Sequence, residues 1–461
     1  MCYNFLVKVL NLKFWDRLIV QPVQPIDEAN LVRRKFFLAN FWLMVSLALA
    51  ACGPLPEEVS PVPAVGSPTV SDGFKGTITV GGVFDLSGPT AVEGRDYAAG
   101  AISYVNLFNS KGGAGGYKVE LKTRDFAAKA PVAIEQYQQL LKEGAVAFLA
   151  WDTADTLALT RQIKNDHVPL LSTSYDEELV RDLKRQSYNF MVAPSYSDQI
   201  KLALLYARQN RLDPKNPEQI MTGYLYSDDD FGRFPYQVGR DYAAAHGVTW
   251  FHEGILQPKI DRANLLHEAD RLRIAHPEFT FVQAKPELTA ELLKVMRAAD
   301  VPGLFLGLNY SATPDLPRLA GKAAEGFMAF ALMAQPDEAE PGLTEIRKVL
   351  ANRLALSTAT PTINPGNNQA LTARFIQGWV TMKVLTEGIR LAVASNPSGQ
   401  LNGDRVKEGL ERIQQLDMGG LTPPLSFSPT KHKGTELMRI IRVEQSKWKA
   451  ITPYLSFASL E

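Results

Sequence analysis

Short apolar stretches rich in β-branched residues alternate along the chain with longer segments in which apolar residues recur every three or four positions. The first short stretch, Thr77–Phe84, predicts a strand. In a longer segment that starts at Pro131, the side chains of Ala133, Tyr137 and Leu140 fall on one helical face, and proline suits the first position of a helix. Strands that alternate with helices of this length are typical of parallel βαβ units.

This alternation occurs twice, with a restart after Ser195. The predicted strands are residues 77–84, 118–123, 145–150 and 168–173 before the restart, and residues 219–226, 248–253, 280–284 and 304–308 after it. Two helices, 370–394 and 404–415, come next, and strand-like segments at 436–443 and 448–453 end the chain. The sequence therefore predicts an α/β fold with two lobes of similar construction.

The region before Thr77 has a different pattern. Basic residues from Arg33 to Lys35 precede an apolar run, 36–51, which ends in the small residues Ala50 and Ala51 directly before Cys52. That order is typical of a secretory signal peptide, and the run is shorter than the ~20 residues that span a bilayer. The Leu-Ala-Ala-Cys end resembles a bacterial lipobox, which implies a lipid on the Cys52 sulfur and attachment to the outer face of a membrane. The alternative is an ordinary cleaved signal in which the cysteine is incidental.

Two segments flank this signal. Residues 1–31 mix apolar and charged positions without signal-peptide order, so we expect translation to begin near Val32. Residues 53–75 contain recurring prolines and no hydrophobic period, which predicts a flexible spacer between Cys52 and the folded body.

Composition restricts the function classes. Apolar residues make up 46% and charged residues 21% of the chain, as in ordinary globular proteins, and the formal net charge of +0 gives no support to nucleic-acid binding. The part of the chain from Gly76 onward is longer than the segments that usually fold around one hydrophobic core, which again favours two lobes. The two cysteines are Cys2 and Cys52, so the folded body has neither a catalytic thiol nor a disulfide.

The remaining motifs give no sign of catalysis, of a metal or of a cofactor. The glycines from Gly112 to Gly116 are mis-spaced for a nucleotide fingerprint and precede a strand, which predicts a turn. His267 lacks a second histidine four residues further on, and Asp228-Asp229-Asp230 lacks the alternation of a calcium loop. An exported hydrolase would need a positioned nucleophile and base, and the sequence shows no such pair.

Candidate binding residues lie in the loops that follow the predicted strands. In open parallel sheets, ligands bind at these carboxyl ends. The loops are Asp85–Ser87, Trp151–Asp155 and Ser174–Asp176 in the first lobe, and Ser227–Phe231, Lys285 and Asn309–Tyr310 in the second. They combine hydroxyls, carboxylates and aromatic rings, as a cleft for a small polar ligand requires.

Several segments carry a family resemblance. They resemble segments of the type I periplasmic binding proteins of branched-chain amino-acid ABC transporters. In the first half of the chain these segments are ITVGGVFDLSGPTAVEG, KGGAGGYKVEL and VPLLSTSYDEEL. In the second half they are YSDDDFGR, ELLKVMRAADV, LFLG, AAEGF and GGLTPPLSFSPTKHKG. The resemblance covers residues 76–453. It implies two Rossmann-like lobes with parallel sheets, joined by a hinge of three crossovers. The implied domains are a leader at 1–31, a signal peptide at 32–51, the lipidated cysteine and linker at 52–75, lobe 1 at 76–195 and 326–425, and lobe 2 at 196–325 and 426–461.

The resemblance also implies site residues. Ala154 falls where the family has a serine that receives the ligand carboxylate, so Thr153 or Thr156 would have to substitute, and Asn309 falls where an acidic residue pairs with the ligand ammonium. Phe231 matches a cleft-lining aromatic residue, and Lys285 falls at a tyrosine position. The candidate ligand-binding residues are Ser87, Trp151, Asp152, Thr153, Ala154, Asp155, Ser174, Tyr175, Asp176, Phe231, Lys285, Asn309 and Tyr310.

These departures argue against a plain leucine-like ligand. A buried ammonium needs a partner, which Asp152, Asp155 or Asp176 could supply from the opposite lobe. Lys285 suggests instead that an anionic or carbonyl group faces the second lobe. Structural alternatives stay open, because Asp155 could be a helix cap and Lys285 a surface residue.

The function that the resemblance implies is that of a lipid-anchored, extracytoplasmic solute-binding protein of an ABC importer. We expect a monomer, without enzymatic activity or cofactor, that binds a small amino acid, amide or carboxylate and docks on a membrane permease. The alternative is a ligand-sensing module of the same fold that feeds a signalling partner.

Overall fold

The computed structural model describes residues 73–183, 188–211, 220–356, 371–397 and 399–460. The predicted leader, the signal peptide, Cys52 and the linker up to residue 72 lie outside the described residues. No helix among the residues described is long and apolar enough to cross a membrane.

The first sheet contains five parallel strands in the order β2-β1-β3-β4-β5. Its strands are β1 Thr77–Phe84, β2 Lys118–Asp125, β3 Ala145–Ala150, β4 Leu170–Ser172 and β5 Asn189–Phe190. The central strands are buried on both faces, since helices cover them, and this explains why they read as continuous apolar runs.

The second sheet contains seven strands in the order β12-β11-β10-β9-β8-β6-β7. Its strands are β6 Ile220–Ser227, β7 Val248–Leu256, β8 Phe279–Gln283, β9 Leu304–Gly307, β10 Met328–Ala331, β11 Arg439–Glu444 and β12 Lys447–Ala450. The strands from β6 to β10 are parallel, whereas β11 and β12 form an antiparallel pair at one edge. Two parallel-strand sheets confirm the predicted α/β fold.

The helices follow the strands in alternation. They are α1 Ala91–Ser110, α2 Ala130–Lys142, α3 Thr153–Asn165, α4 Glu178–Arg181, α5 Tyr196–Gln209, α6 Asp230–Ala245, α7 Arg262–Ala275, α8 Pro286–Ala298, α9 Leu316–Ala320, α10 Pro341–Leu356, α11 Ala373–Ser395 and α12 Gly403–Glu411. The long helix α11 packs closely against α1. A Cβ on Gly100 would lie 2.0 Å from the Phe375 carbonyl oxygen, and one on Gly378 would lie 2.0 Å from that of Tyr97, so these two glycines permit the contact.

One expected boundary is too early. The return to the first lobe was expected at residue 326, but β10 pairs with β9 through Met328 and Leu306, and with β11 on its other side. Because β10 is paired on both sides, it is part of the second sheet, and all four of its residues are buried there. The chain returns to the first lobe only after β10. The other lobe boundaries remain predictions.

The chain passes between the two sheets three times, after β5, after β10 and before β11. The first and third passages lie side by side, because Met191 and Lys433 form a parallel bridge. The Lys433 ammonium donates to the Asp198 carboxylate at 2.5 Å. Burial opposes the charge on Lys433, but the carboxylates of Asp198, Glu177 and Glu436 together raise the pKa of the ammonium.

Candidate functional site

A cavity of about 240 Å³ lies at the carboxyl ends of strands from both sheets. Its size is below the ~300–1,000 Å³ of pockets for drug-sized ligands, which favours a small solute. Nine of the predicted residues line it: Trp151, Asp152, Thr153, Ala154, Ser174, Phe231, Lys285, Asn309 and Tyr310. Two further lining residues, Asp229 and Asp230, belong to the candidate loop Ser227–Phe231, and four were missed: Thr90, Thr173, Tyr196 and Arg374.

We call the lining residues from the first-sheet loops the first wall: Thr90, Trp151, Asp152, Thr153, Ala154, Thr173 and Ser174. Those from the second-sheet loops form the second wall: Asp229, Asp230, Phe231, Lys285, Asn309 and Tyr310. Tyr196 begins α5 and Arg374 lies in the first turn of α11, so both come from outside the strand-end loops.

Trp151 anchors the first wall. It directly follows β3, and only 3% of its surface is exposed. Its indole Nε1 donates to the Thr90 hydroxyl at 2.8 Å, and that hydroxyl donates in turn to the Asp85 carboxylate at 2.7 Å. This relay fixes the ring orientation, because both polar partners belong to the loop after β1.

The start of α3 continues the first wall. Asp152 is the helix N-cap and accepts from the backbone amides of Ala154 and Asp155. Asp155 completes a capping box by accepting from the amides of Trp151 at 3.1 Å and Asp152 at 2.6 Å. Burial, reinforced by the charge of Asp152, raises the pKa of Asp155 well above its usual range. Asp155 is therefore a buried helix cap and does not line the cavity, contrary to its place among the candidates.

Hydroxyl groups of the first wall bond to one another. The Thr153 and Ser174 hydroxyls lie 2.7 Å apart, and the Thr173 hydroxyl donates to the Trp151 carbonyl oxygen. Thr156, which was considered as a substitute for the family serine, donates instead to the Asp152 carbonyl oxygen at 2.5 Å. Of the two threonines proposed for that role, the structure places Thr153 at the cavity.

Ser87, Tyr175 and Asp176 also lie off the main cavity. The Ser87 side chain is exposed, and its hydroxyl donates to the Asp125 carboxylate at 2.5 Å. The Tyr175 hydroxyl accepts from Gln377 Nε2 at 2.8 Å and lines a smaller adjoining chamber, and burial raises its pKa to about 12.

Asp176 is buried and does not line the cavity. Its Oδ1 accepts from the Glu178 amide at 3.0 Å, whereas its Oδ2 has no hydrogen-bond partner among the residues described. Burial raises the pKa of Asp176 to about 7, although the positive charge of Arg181 opposes this shift. Asp176 is thus poorly placed to pair with a ligand ammonium in the cavity.

Aromatic rings dominate the second wall. Phe231, in the first turn of α6, contacts the rings of Tyr196 and Tyr310 edge-on, with centroids 5.3 and 5.4 Å apart. The Phe231 carbonyl oxygen accepts from Gln283 Nε2 at 3.1 Å, which ties this turn to β8. Burial raises the pKa of Tyr310, so this phenol stays neutral.

Two polar residues of the second wall lack side-chain partners among the described residues. The backbone N–H of Asn309 donates to Gln199 Oε1 at 2.8 Å. The side-chain Oδ1 of Asn309 is buried and has no hydrogen-bond partner among the described residues. Lys285 precedes α8 and is exposed, and its side chain makes no capping bond. Both residues are therefore free to bond to a solute.

Arg374 contacts both walls. Its guanidinium lies over the Tyr310 ring at 4.5 Å and over the Trp151 ring at 5.6 Å, and Nη1 donates to Gln377 Oε1 at 2.7 Å. Arg374 is absent from the predicted site because it lies in the first turn of a helix far along the chain and not at a strand end. The available signal was a basic residue in the first turn of a long apolar helix, where the helix dipole disfavours a cation.

The site offers polar and aromatic contacts for a solute. No group of three or more His, Cys, Asp or Glu residues that could hold a metal ion occurs in the described part of the chain. The arrangement is that of a binding cleft, with hydroxyls and Trp151 on one wall, aromatic rings and Lys285 on the other, and a guanidinium between them.

Known proteins match the chain in sequence pattern and in structure. A protein family described as "Periplasmic binding protein" matches residues 77–447. None of the curated proteins matches the chain. The family is one of binding proteins, so the chain is a binding protein rather than an enzyme.

Solved structures share the fold over nearly their whole length. A branched-chain amino-acid ABC transporter protein from Thermus thermophilus, solved with bound valine, is 20% identical at a TM-score of 0.72, over 83% of this chain and 97% of that one. A fatty acid ABC transporter substrate-binding protein from Thermomonospora curvata is 17% identical at a TM-score of 0.68, over 83% and 93%. An extracellular ligand-binding receptor from Verminephrobacter eiseniae is 17% identical at a TM-score of 0.67, over 81% and 99%.

Proposed function

This chain belongs to the periplasmic binding protein family, and from that premise we propose that it is the extracytoplasmic solute-binding component of an ABC importer. It takes one small polar solute, an amino acid or a related amide or carboxylate, between its two lobes. The observation that carries this proposal is the cavity of about 240 Å³ whose lining comes from the loops of both sheets.

The two walls explain how such a protein signals that it is loaded. A solute beside Trp151 and Thr153 would also reach Phe231 and Tyr310, since all four line the same cavity. Only a closed arrangement of the lobes allows both sets of contacts, so the solute stabilises that arrangement. A membrane permease that recognises the closed form would then receive loaded molecules.

The structural relatives support the importer role and leave the solute open. One of them carries bound valine and another is described as a fatty acid transporter protein, so the same fold accommodates different solutes. The solute of this chain must therefore be inferred from its own cavity.

The proposal includes a lipid anchor on Cys52, with residues 53–75 as the spacer. The sequence Leu49-Ala50-Ala51-Cys52 supports it, and the test is labelling of cells with an alkyne analogue of palmitate. We expect the wild-type chain to carry the label and the Cys52→Ala variant to lose it and leave the membrane fraction. An unlabelled wild-type chain would contradict the anchor and leave solute binding untouched.

Solute binding is tested by the thermal unfolding midpoint of the full chain against a panel of amino acids, amides and small carboxylates. A solute at about 1,000 times its dissociation constant adds roughly 4 kcal/mol of stability. We expect at least one member to raise the midpoint, and the cavity-filling variant Ala154→Trp to abolish that rise.

The structure supplies a matched control for this variant. Ala154 and Ala263 are both exposed, both occupy the second position of a helix, and both donate their amide to an N-cap aspartate at 2.9 Å. Ala263 does not line the cavity, so Ala263→Trp should keep the solute response. A response that survives Ala154→Trp would refute the cavity as the site.

A further inference from the structure

Arg374 carries a charge that no carboxylate compensates. None of the described Asp or Glu side chains comes within the 4.0 Å of an ion pair with it, although the residue is half-buried. Arg439, which is similarly withdrawn from solvent, is ion-paired with Glu338. A partly buried cation without a partner is costly, and an anion bound beside it removes that cost.

The guanidinium of Arg374 is held in place by neutral groups. Tyr310 and Trp151 contact it through their rings, and Gln377 accepts from Nη1. Gln377 is itself fixed, because its Nε2 donates to the Tyr175 hydroxyl at 2.8 Å. An arginine has five N–H donors in a planar fork, so this arrangement leaves donors for a bidentate bond to a carboxylate.

Three acidic residues line the cavity: Asp152, Asp229 and Asp230. Asp152 Oδ1 caps α3, and Asp229 Oδ1 accepts from the Ser227 hydroxyl at 2.8 Å and from the Gly232 amide at 2.9 Å. Asp230 is exposed at the rim. None of the three is fully buried, and Asp152 and Asp229 are each bonded within the protein through one oxygen, so the lining holds no buried, unbonded carboxylate for a solute ammonium.

Neutral oxygen acceptors are available instead. A chamber of about 60 Å³ adjoins the cavity and shares Asn309, Tyr310 and Arg374 with it. Asn309 Oδ1 and Gln335 Oε1 both belong to its lining residues, are buried and have no hydrogen-bond partner among the residues described. Unbonded buried acceptors each cost about 1–3 kcal/mol, which a hydroxyl or amide N–H of a solute would recover.

Resting on the proposed function, we infer that the solute is a small organic anion whose carboxylate binds the Arg374 guanidinium and whose remaining hydrogen-bond donor is uncharged. Lys285, on the second wall, adds a second positive charge to the cavity lining. This class comprises hydroxy acids and amide-bearing acids, and it differs from the zwitterionic amino acids in lacking an ammonium.

The test uses sets of three compounds that share one carbon skeleton. For the 4-methylpentanoyl and the 3-phenylpropanoyl skeletons, the amino acid, the 2-hydroxy acid and the 2-hydroxy amide are titrated calorimetrically into the full chain. We expect the 2-hydroxy acid to bind at least tenfold more tightly than its amino acid and its amide. The Arg374→Gln variant should bind the hydroxy acid at least tenfold more weakly than wild type does, and its affinity for the amide should be unchanged.

Arg390→Gln is the matched control. Arg390 lies on the same helix, α11, is paired with Glu387 and does not line the cavity, so its replacement should not change any affinity. Tightest binding of the amino acids, or a hydroxy acid that binds Arg374→Gln as well as wild type, would overturn the inference and leave the proposed function intact.

The broad solute panel covers the case in which neither skeleton fits. Anions that stabilise wild type and fail to stabilise Arg374→Gln would support the inference. Stabilisation only by neutral or zwitterionic solutes would overturn it. If no solute stabilises the full chain, the proposed function itself fails, and the two failures are thus distinguishable.

Discussion

The two walls of the cavity differ in how their polar groups are satisfied. On the first wall, Thr153 bonds to Ser174, and Trp151 bonds to Thr90. On the second wall, Asn309 Oδ1 has no partner among the residues described, and Lys285 is exposed at the cavity. The first wall is therefore shaped by the protein alone, whereas the second retains bonding capacity for a solute.

This difference has an origin in the chain. The first wall is built mainly from the contiguous segment Trp151–Ala154, and a capping box between Asp152 and Asp155 fixes the entry into α3. The second wall is assembled from the separate ends of β6, β8 and β9. A preorganised wall favours binding because little entropy is lost there. We expect substitutions on the first wall to reduce stability, and those on the second to reduce affinity.

The largest effect is expected for Asp155→Ala. It removes the acceptor of two backbone amides, the buried one of Trp151 and the partly buried one of Asp152, so the free energy of unfolding should fall by about 2–4 kcal/mol in urea titrations. Asp261→Ala is the matched control, since Asp261 also caps a helix through two amides but is exposed, and it should cost only about 1 kcal/mol. Equal losses in the two variants would show that the first wall is not specially dependent on its cap.

A pH-dependent effect is expected for Asp176→Asn. The folded protein binds the Asp176 proton more tightly than the unfolded chain, since the pKa is about 7 when folded and about 3.9 when unfolded. This group therefore makes wild type less stable as pH rises from ~4 to ~7. The Asp176→Asn variant lacks that loss. Its free energy of unfolding relative to that of wild type should therefore rise by on the order of 1 kcal/mol or more between pH 5 and pH 8. A stability difference that stays constant across this range would contradict the burial of a free carboxylate oxygen.

The smallest effect on stability is expected for Asn309→Leu. The variant removes a buried oxygen that has no partner in the described structure, so the free energy of unfolding should stay unchanged or rise by up to about 1 kcal/mol. Affinity for the solute should fall by about 1 kcal/mol, because a hydrogen bond is lost. A large loss of stability with unchanged affinity would mean that the second wall is as internally satisfied as the first.

The sequence predicted the walls well where strand geometry governs them. The apolar runs identified both sheets, and the candidate loops at their carboxyl ends supplied eleven of the lining residues, because parallel strands place those loops at one edge. The pair Asp152 and Asp155 has the spacing of a capping box, and the helix-cap alternative that the sequence left open for Asp155 is the one the structure shows.

Other features depend on tertiary packing and could not be predicted in this way. Arg374 reaches the cavity because α11 packs against α1, a contact that no local pattern encodes. The strand β10 was placed in the wrong lobe because its pairing with β9 and β11 depends on residues distant in sequence. The orphaned oxygens of Asn309 and Gln335 likewise result from the packing of separate loops.

The most direct test of the account is a crystal structure of the full chain with the solute that stabilises it most. The account predicts one solute in the cavity, with a carboxylate on Arg374, contacts to Trp151 on the first wall and contacts to Phe231 or Tyr310 on the second. A solute bound outside this cavity, or one that touches a single wall and leaves Arg374 unpaired, would contradict it.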